Sequence, residues 1–174
     1  MLALLCAVIV GLMAQGRRRS WKRLLLYALG ALAALFVLIQ AVPYGRDHTN
    51  PPVLKEPAWD SPQTRAFAVD ACFDCHSNQT KWPWYTNVAP VSWWVESHVK
   101  GGRSSLNFSE WNRPQDTGVS DIVESVQSGS MPPSYYTVMP NHSGARLSKG
   151  EKAAFVRGLE ATLRASPPLG GGGG

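Results

Sequence analysis

The sequence lacks three features that mark particular classes of protein. From residue 43 onward it has no excess of positive charge, with 12 Lys and Arg against 12 Asp and Glu, so the net charge of +5 comes from the first 42 residues. A basic surface for phosphates is therefore missing, which excludes nucleic acid as a partner. No stretch alternates apolar and polar residues as a half-buried strand does, and no internal repeat is present. Because strand patterns are missing, the sequence predicts a helical domain after residue 42.

Charge is also missing from residues 24–42, a run of 19 positions. As a helix this run would extend roughly 28 Å, close to the thickness of a bilayer's hydrocarbon core. Five Lys and Arg residues precede it within 16–23, and basic residues beside a membrane segment tend to stay cytoplasmic. The sequence therefore predicts a basic cytoplasmic loop over 16–23 and a transmembrane helix over 24–42. Everything from residue 43 onward is then on the periplasmic side of an inner membrane.

Residues 1–15 are apolar but short for a membrane span. They form either a first membrane helix that runs inward or a stretch upstream of a true start at Met13. Cys6 lies here, and we assign it no role. No small-x-small cleavage site precedes the junction at residue 42, so the pattern favours an uncleaved anchor over a removed signal peptide.

The exported part predicts a small all-α domain with long loops over 62–165. Residues 43–61 are rich in proline and polar side chains, which indicates an extended linker, and residues 166–174 indicate a flexible tail. Ser61, followed by a proline, caps a predicted helix over 62–72. Further helices are predicted over 90–100, ended by two glycines at 101 and 102, over 119–128, ended by Gly129, and from a capping box at Ser148 onward. The last helix has an apolar face that comprises Phe155, Leu159, Thr162 and Leu163.

The two remaining cysteines lie three positions apart, directly before a histidine, in ACFDCHSNQ (71–79). This C-x-x-C-H pattern is typical of the attachment site of haem c. The thiols of Cys72 and Cys75 would add to the two vinyl groups of the porphyrin, and His76 would then reach the iron as its proximal ligand. Export agrees with this interpretation, because haem c is attached on the outer face of the membrane.

Three other interpretations of the pair stay open. The cysteines could form a disulfide, which is natural outside the cytoplasm. They could be half of a zinc site completed by His98 or His142. A redox dithiol is the third, although the βαβ context of thioredoxin-like motifs is missing.

The choice of a second axial ligand decides the chemistry of a haem iron. A methionine raises the reduction potential and favours electron transfer, whereas an open site admits gases or peroxide. Met131 is the favoured candidate, because two prolines follow it and stiffen its loop. His98 and His142 are the alternatives, and Met139 and His48 are more remote ones.

The exported part is rich in tryptophan for its size, as expected of a small domain that packs around a cofactor. The candidate haem-wall residues are Trp82, Trp84, Tyr85 and Trp93.

Three longer stretches carry a family resemblance: VPYGRDHTNPPV (42–53), CFDCHSNQTKWPWY with its continuation to Trp111, and SGSMPPSYYTVMPNHSGARLSKGEK (128–152). Together they resemble the bacterial haem-binding domain family of short, membrane-anchored, single-haem c-type cytochromes, over residues 42–165. The resemblance implies one covalent haem c on Cys72 and Cys75, with His76 on the iron. It also implies a distal ligand in the M-P-x-x-Y block, at Met131. Asn50-Pro51 and LNFSEW (106–111) match as well, in scaffold or haem-wall roles.

The leading functional interpretation is a membrane-anchored cytochrome c-like electron carrier that serves redox partner proteins or a larger membrane complex. A haem-based gas or redox sensor is the first alternative, and a non-haem zinc or disulfide domain is the second. Catalysis of a peroxidase type is disfavoured, because the sequence offers no evident acid–base pair beside a haem.

Overall fold

A computed structural model of the chain describes residues 2–170, and their side chains from residue 20 onward. The predicted all-α class is confirmed: in this range the regular elements are helices, and β-pairing is limited to isolated bridges. The α-helices are α1 Leu2–Ile39, α2 Pro62–Ala71, α3 Phe73–His76, α4 Val91–Ser105, α5 Val119–Ser128, α6 Ser134–Thr137 and α7 Lys149–Ala165. Two 3-10 helices, Trp84–Asn87 and Pro140–Ala145, complete the set.

The chain divides into two compact units, of which the first comprises the residues up to Pro43 together with Val88–Pro90. Its main element is α1, which ends at Ile39, three residues before the predicted end of the membrane segment. Residues 16–23, predicted as a basic cytoplasmic loop, lie within this helix. Among the residues whose side chains are described, Ser20–Ile39 is the stretch long and apolar enough to cross a membrane. The side chains of residues 1–15, including Cys6, lie outside the described part.

The second unit comprises Tyr44–Asn87 and the residues from Val91 onward. Its core is built where α2, α5 and α7 meet the segment 106–111. Three aromatic rings stack through it, with Phe73 5.8 Å from Phe108 and Phe108 5.6 Å from Trp111 between centroids. Such pairs contribute about 0.5–1.5 kcal/mol each beyond the area that they bury. The buried core residues are Ala68, Phe73, Leu106, Phe108, Trp111, Ile122, Val126, Phe155, Leu159 and Leu163.

The predicted helix ends are mostly confirmed. Ser61 accepts a hydrogen bond from the backbone N–H of Thr64 and begins α2. Gly129 ends α5 with φ 84°, the left-handed conformation that glycine adopts without strain. The capping box of Ser148 and Glu151 begins α7, and the four predicted face residues of that helix are buried.

One predicted helix end is wrong. Gly101 and Gly102 do not end α4, which continues to Ser105. The reason for glycine at 102 is packing, because a Cβ atom there would collide with the carbonyl oxygen of Cys75 and lie 2.9 Å from its carbonyl carbon. Gly102 therefore lets α4 pass directly against the backbone of α3.

The predicted extended linker and the predicted flexible tail are both held in part by hydrogen bonds to the domain. In the linker 43–61, the N–H groups of Leu54 and Lys55 donate to the carbonyl of Ser109, and the unit already begins at Tyr44. In the tail 166–174, Leu169 accepts a hydrogen bond from the backbone N–H of Gln115 at 2.6 Å. The tail is thus held as far as Gly170, and residues 171–174 lie outside the described part.

The two neighbouring glycines of α4 provide a matched test of this packing. Gly102→Ala should lower the free energy of unfolding by about 1–3 kcal/mol, because the added methyl group has no space beside Cys75. Gly101→Ala has nothing within 4 Å of its new Cβ and should raise that free energy by about 0.5–1 kcal/mol. Urea unfolding of both variants checks the pair. Equal effects at the two positions would show that α4 does not pack on α3 as described.

Candidate functional site

The C-x-x-C-H motif lies on one turn of helix at the junction of α2 and α3. The carbonyl of Cys72 accepts hydrogen bonds from the N–H of Cys75 at 3.2 Å and of His76 at 2.9 Å. Cys75 and His76 follow Cys72 by three and four positions, the spacing of residues on one face of a helix. Phe73 and Asp74, between the cysteines, are both buried. The spacing of the motif therefore suits three side chains that act on one ligand.

The imidazole of His76 is held in the state that binds a metal. Its Nδ1 lies 3.1 Å from the carbonyl oxygen of Leu106. A carbonyl only accepts, so Nδ1 carries the proton and Nε2 keeps its lone pair. Burial lowers the pKa of His76, which keeps the ring neutral. The backbone is fixed as well, since the N–H of Phe108 donates to the carbonyl of His76 at 2.8 Å.

The two cysteines are free thiols, not a disulfide. Burial, with a smaller effect of the neighbouring Cys75, raises the pKa of Cys72 to about 12. Burial, followed by the charge of Asp74, raises the pKa of Cys75 to about 11. Both groups are protonated at neutral pH. Among the described side chains, no group of three or more His, Cys, Asp and Glu is placed to hold a metal ion, so the donor set of a zinc site does not assemble around this pair.

Met131 lies in the loop after α5, where its N–H donates to the carbonyl of Ser125 at 2.9 Å. Its side chain is 40 % exposed and does not belong to the core, so core packing does not account for it. Two prolines and the short helix α6 follow.

Two tyrosines attach this loop, one to α4 and one to the C-x-x-C-H motif. The ring of Tyr135 packs edge-on against Trp94, 4.7 Å between centroids, and against His98 at 5.6 Å. The hydroxyl of Tyr136 donates to the carboxylate of Asp74 at 2.7 Å, inside the C-x-x-C-H motif. The structure thus joins the M-P-x-x-Y block to the C-x-x-C-H turn, here called the attachment turn after its predicted role.

The two histidine alternatives for the distal ligand differ in how their nitrogens are engaged. His98 has Nδ1 2.8 Å from the carbonyl of Trp94, and its Nε2 has no hydrogen-bond partner among the described residues. In His142, Nδ1 lies 3.4 Å from Asp74 Oδ2 and Nε2 lies 3.0 Å from the amide of Asn141. His142 is therefore occupied at both nitrogens, whereas His98 has one available.

The two remote candidates are also placed. His48 stacks on Trp82, with centroids 4.4 Å apart, and its Nε2 lies 3.2 Å from the carbonyl of Thr86. Met139 is 37 % exposed and directly precedes the second 3-10 helix.

The structure places the four predicted haem-wall residues in different surroundings. Trp82 is engaged with His48, and Trp84 is 78 % exposed at the start of its 3-10 helix. Tyr85 accepts a hydrogen bond from Asn141, and the buried indole N–H of Trp93 has no partner among the described residues.

Trp94 is the aromatic residue that sequence reasoning missed. It contacts both His98, at 4.4 Å between centroids, and Tyr135 of the Met131 loop. The available signal was its spacing of four from His98 on a helix, which places the two rings on the same face.

A polar cavity of about 260 Å³ lies on the Asp74 side of the motif. Its lining includes Asp70, Asp74, Lys81, Trp82, Tyr136 and His142. The thiols and the imidazole of His76 are absent from this lining, so the cavity and the face that carries the two thiols are different surfaces of one helical turn.

The family comparison covers most of this architecture. The family described as "Haem-binding domain" matches residues 34–161, which include α2 to α5, the C-x-x-C-H turn and the Met131 loop. No curated protein and no solved structure matches the chain. The Nδ1 of His76 is hydrogen-bonded to a carbonyl, which leaves Nε2 as the nitrogen that could ligate a haem iron, so the geometry and the comparison agree. The chain belongs to the haem-binding domain family.

Proposed function

We propose that this haem protein is a membrane-anchored, monohaem c-type cytochrome that carries electrons on the periplasmic side of the inner membrane. The observation that carries the proposal is the state of His76, whose Nδ1–H is taken by the Leu106 carbonyl so that Nε2 keeps its lone pair, in a motif with two free thiols. Metal-binding histidines commonly have this second hydrogen bond, because it fixes the tautomer and the ring orientation.

Each residue of the motif has a defined task in this proposal. The S–H groups of Cys72 and Cys75 would add across the two vinyl double bonds of the haem, which would form two thioethers and place the thiol hydrogens on carbon. Nε2 of His76 would be the proximal ligand. The bound haem supplies an iron that cycles between two oxidation states, and the protein sets its potential through the axial ligands and the polarity around it.

Met131 is the favoured distal ligand in this proposal. Its exposed thioether lies in a loop that is attached to the motif through Tyr136 and to α4 through Tyr135. His98 is the competitor, because its Nε2 is available and its ring contacts the same loop. A thioether ligand favours the reduced iron more than a second imidazole does, and so suits an electron carrier.

The anchor is argued from α1. The apolar stretch Ser20–Ile39 is not buried in the protein, and the five basic residues lie directly before it or in its first four positions. The positive-inside rule then directs the haem domain outward. A carrier held at the membrane surface exchanges electrons with other membrane-bound redox proteins or acts as a subunit of a larger complex.

Covalent attachment is tested on the cysteines. In the host with its haem-attachment system, the wild-type chain should carry haem that survives a denaturing gel, visible by its peroxidase activity. Cys72→Ala together with Cys75→Ala should lose this signal completely, because no thiol remains in the C-x-x-C-H motif to form a thioether. Cys6→Ala is the matched control and should keep it. Haem staining that persists in the double variant would overturn the c-type assignment.

The distal ligand is tested by Met131→Ala and His98→Ala side by side. Met131→Ala should remove the weak red absorption of a methionine–ferric iron bond and lower the potential, within the range of about 0.8 V that axial ligands control. It should also let the reduced protein bind carbon monoxide rapidly, which the wild type resists. His98→Ala should keep the red band. The reverse pattern would assign His98, and rapid carbon monoxide binding by the wild type would favour the gas sensor instead.

A further inference from the structure

Asp74 occupies a position that the C-x-x-C-H pattern leaves unspecified, yet its carboxylate is buried and each of its two oxygens accepts a hydrogen bond. Oδ1 accepts a hydrogen bond from the backbone N–H of Lys81 at 3.0 Å. Oδ2 accepts one from the hydroxyl of Tyr136 at 2.7 Å and lies 3.4 Å from Nδ1 of His142. A hydrogen bond to a buried carboxylate is among the stronger ones in proteins. The contact with Tyr136 is therefore a firm attachment between two distant parts of the chain.

Two features of its surroundings hold Tyr136 in the position and protonation state that this hydrogen bond needs. Its ring stacks on His142, with centroids 3.8 Å apart and planes 25° apart. Burial, followed by the charge of Asp74, raises its pKa, so the phenol stays protonated and remains a donor. The stack therefore fixes the direction of the hydroxyl, and its surroundings keep it protonated as a hydrogen-bond donor.

The segment between Met131 and Tyr136 is short and stiff. The N–H of Met131 is bonded to Ser125 of α5 at one end, and the hydroxyl of Tyr136 is bonded to Asp74 at the other. Between them, two prolines restrict φ, and the N–H of Tyr136 donates to the carbonyl of Pro133 at 3.0 Å. A segment pinned at both ends with few free torsions transmits a shift at Tyr136 to Met131.

We propose that Tyr136 is a positioning residue, and that its hydrogen bond to Asp74 keeps the Met131 loop closed over the attachment turn. This role rests on the proposed function, in which Met131 is the distal ligand. With the bond intact, the loop would hold Met131 as a ligand to a bound haem and would exclude external ligands. Without it, the loop would open more often, and a competing ligand would gain access in proportion to the open fraction.

The test is a titration of the purified, haem-loaded ferric protein with imidazole, followed by its absorption spectrum. Tyr136→Phe keeps the ring and its stack on His142 but removes the donor. The dissociation constant of imidazole should fall about tenfold, since a lost hydrogen bond to a carboxylate enlarges the open fraction by about that factor. Tyr135→Phe is the matched control in the same loop. The Tyr135 hydroxyl has no hydrogen bond among the described residues, and its ring contacts survive the change, so its constant should stay within about twofold of the wild type.

The outcomes separate the two proposals. An unchanged constant in Tyr136→Phe, together with much tighter imidazole binding in Met131→Ala, overturns the positioning role and leaves Met131 as the ligand. An unchanged constant in Met131→Ala itself shows that the thioether is not on the iron, and the distal ligation and the positioning role then fail together. A fall in unfolding free energy of Tyr136→Phe without any change in imidazole binding assigns Tyr136 a purely structural role.

A second variant tests the path of the effect. If Tyr136 acts through Asp74, then Asp74→Asn combined with Tyr136→Phe should bind imidazole no more tightly than Tyr136→Phe alone. Full additivity of the two changes would mean that they act independently, which overturns the assigned contact.

Discussion

The geometry around His76 depends on the close approach of α4 to the backbone of Cys75. Only a residue without a side chain fits at position 102, and the helix then continues for another turn before the chain leaves it at Leu106. The carbonyl of Leu106 is thereby carried to within hydrogen-bonding distance of His76 Nδ1. A larger residue at 102 would separate the helices and move this acceptor, and the tautomer of the histidine would no longer be fixed.

The segment that follows α4 ties the site to the rest of the unit through buried polar groups. The side chain of Asn107 donates to that of Asn78 at 2.9 Å, and its N–H donates to the side chain of Gln115 at 2.7 Å. The hydroxyl of Ser109 accepts the N–H of Asn78 at 2.9 Å. Because each of these groups is buried, losing one partner leaves another polar atom unpaired, which costs about 1–3 kcal/mol. LNFSEW is thus the scaffold that joins the attachment turn to the core. Asn50 has a similar part, because its amide donates to the carbonyl of Thr80.

Local signals in the sequence predicted the elements, and contacts between distant residues decided the rest. The helix ends at Ser61, Gly129 and Ser148 were predictable, because a cap depends on residues within one turn. The role of Gly102 was not, since a glycine that ends a helix and one that permits close packing look the same without the neighbouring chain. The aromatic residues show the same limit. Counting tryptophans indicated an unusual interior, but only the fold separates Trp94, beside His98 and the Met131 loop, from the largely exposed Trp84.

The two residues that the C-x-x-C-H pattern leaves unspecified make important contacts between the motif and the rest of the domain. Phe73 belongs to the aromatic stack of the core, and Asp74 receives the phenol of a residue 62 positions later. The conformation of the pentapeptide therefore depends on residues outside it. Transplanted into a foreign helical scaffold with arbitrary residues at these two places, it would keep the reactive sulfurs and lose the surroundings that orient them. A designer who wishes to move this centre must move the ring stack and the tyrosine loop with it.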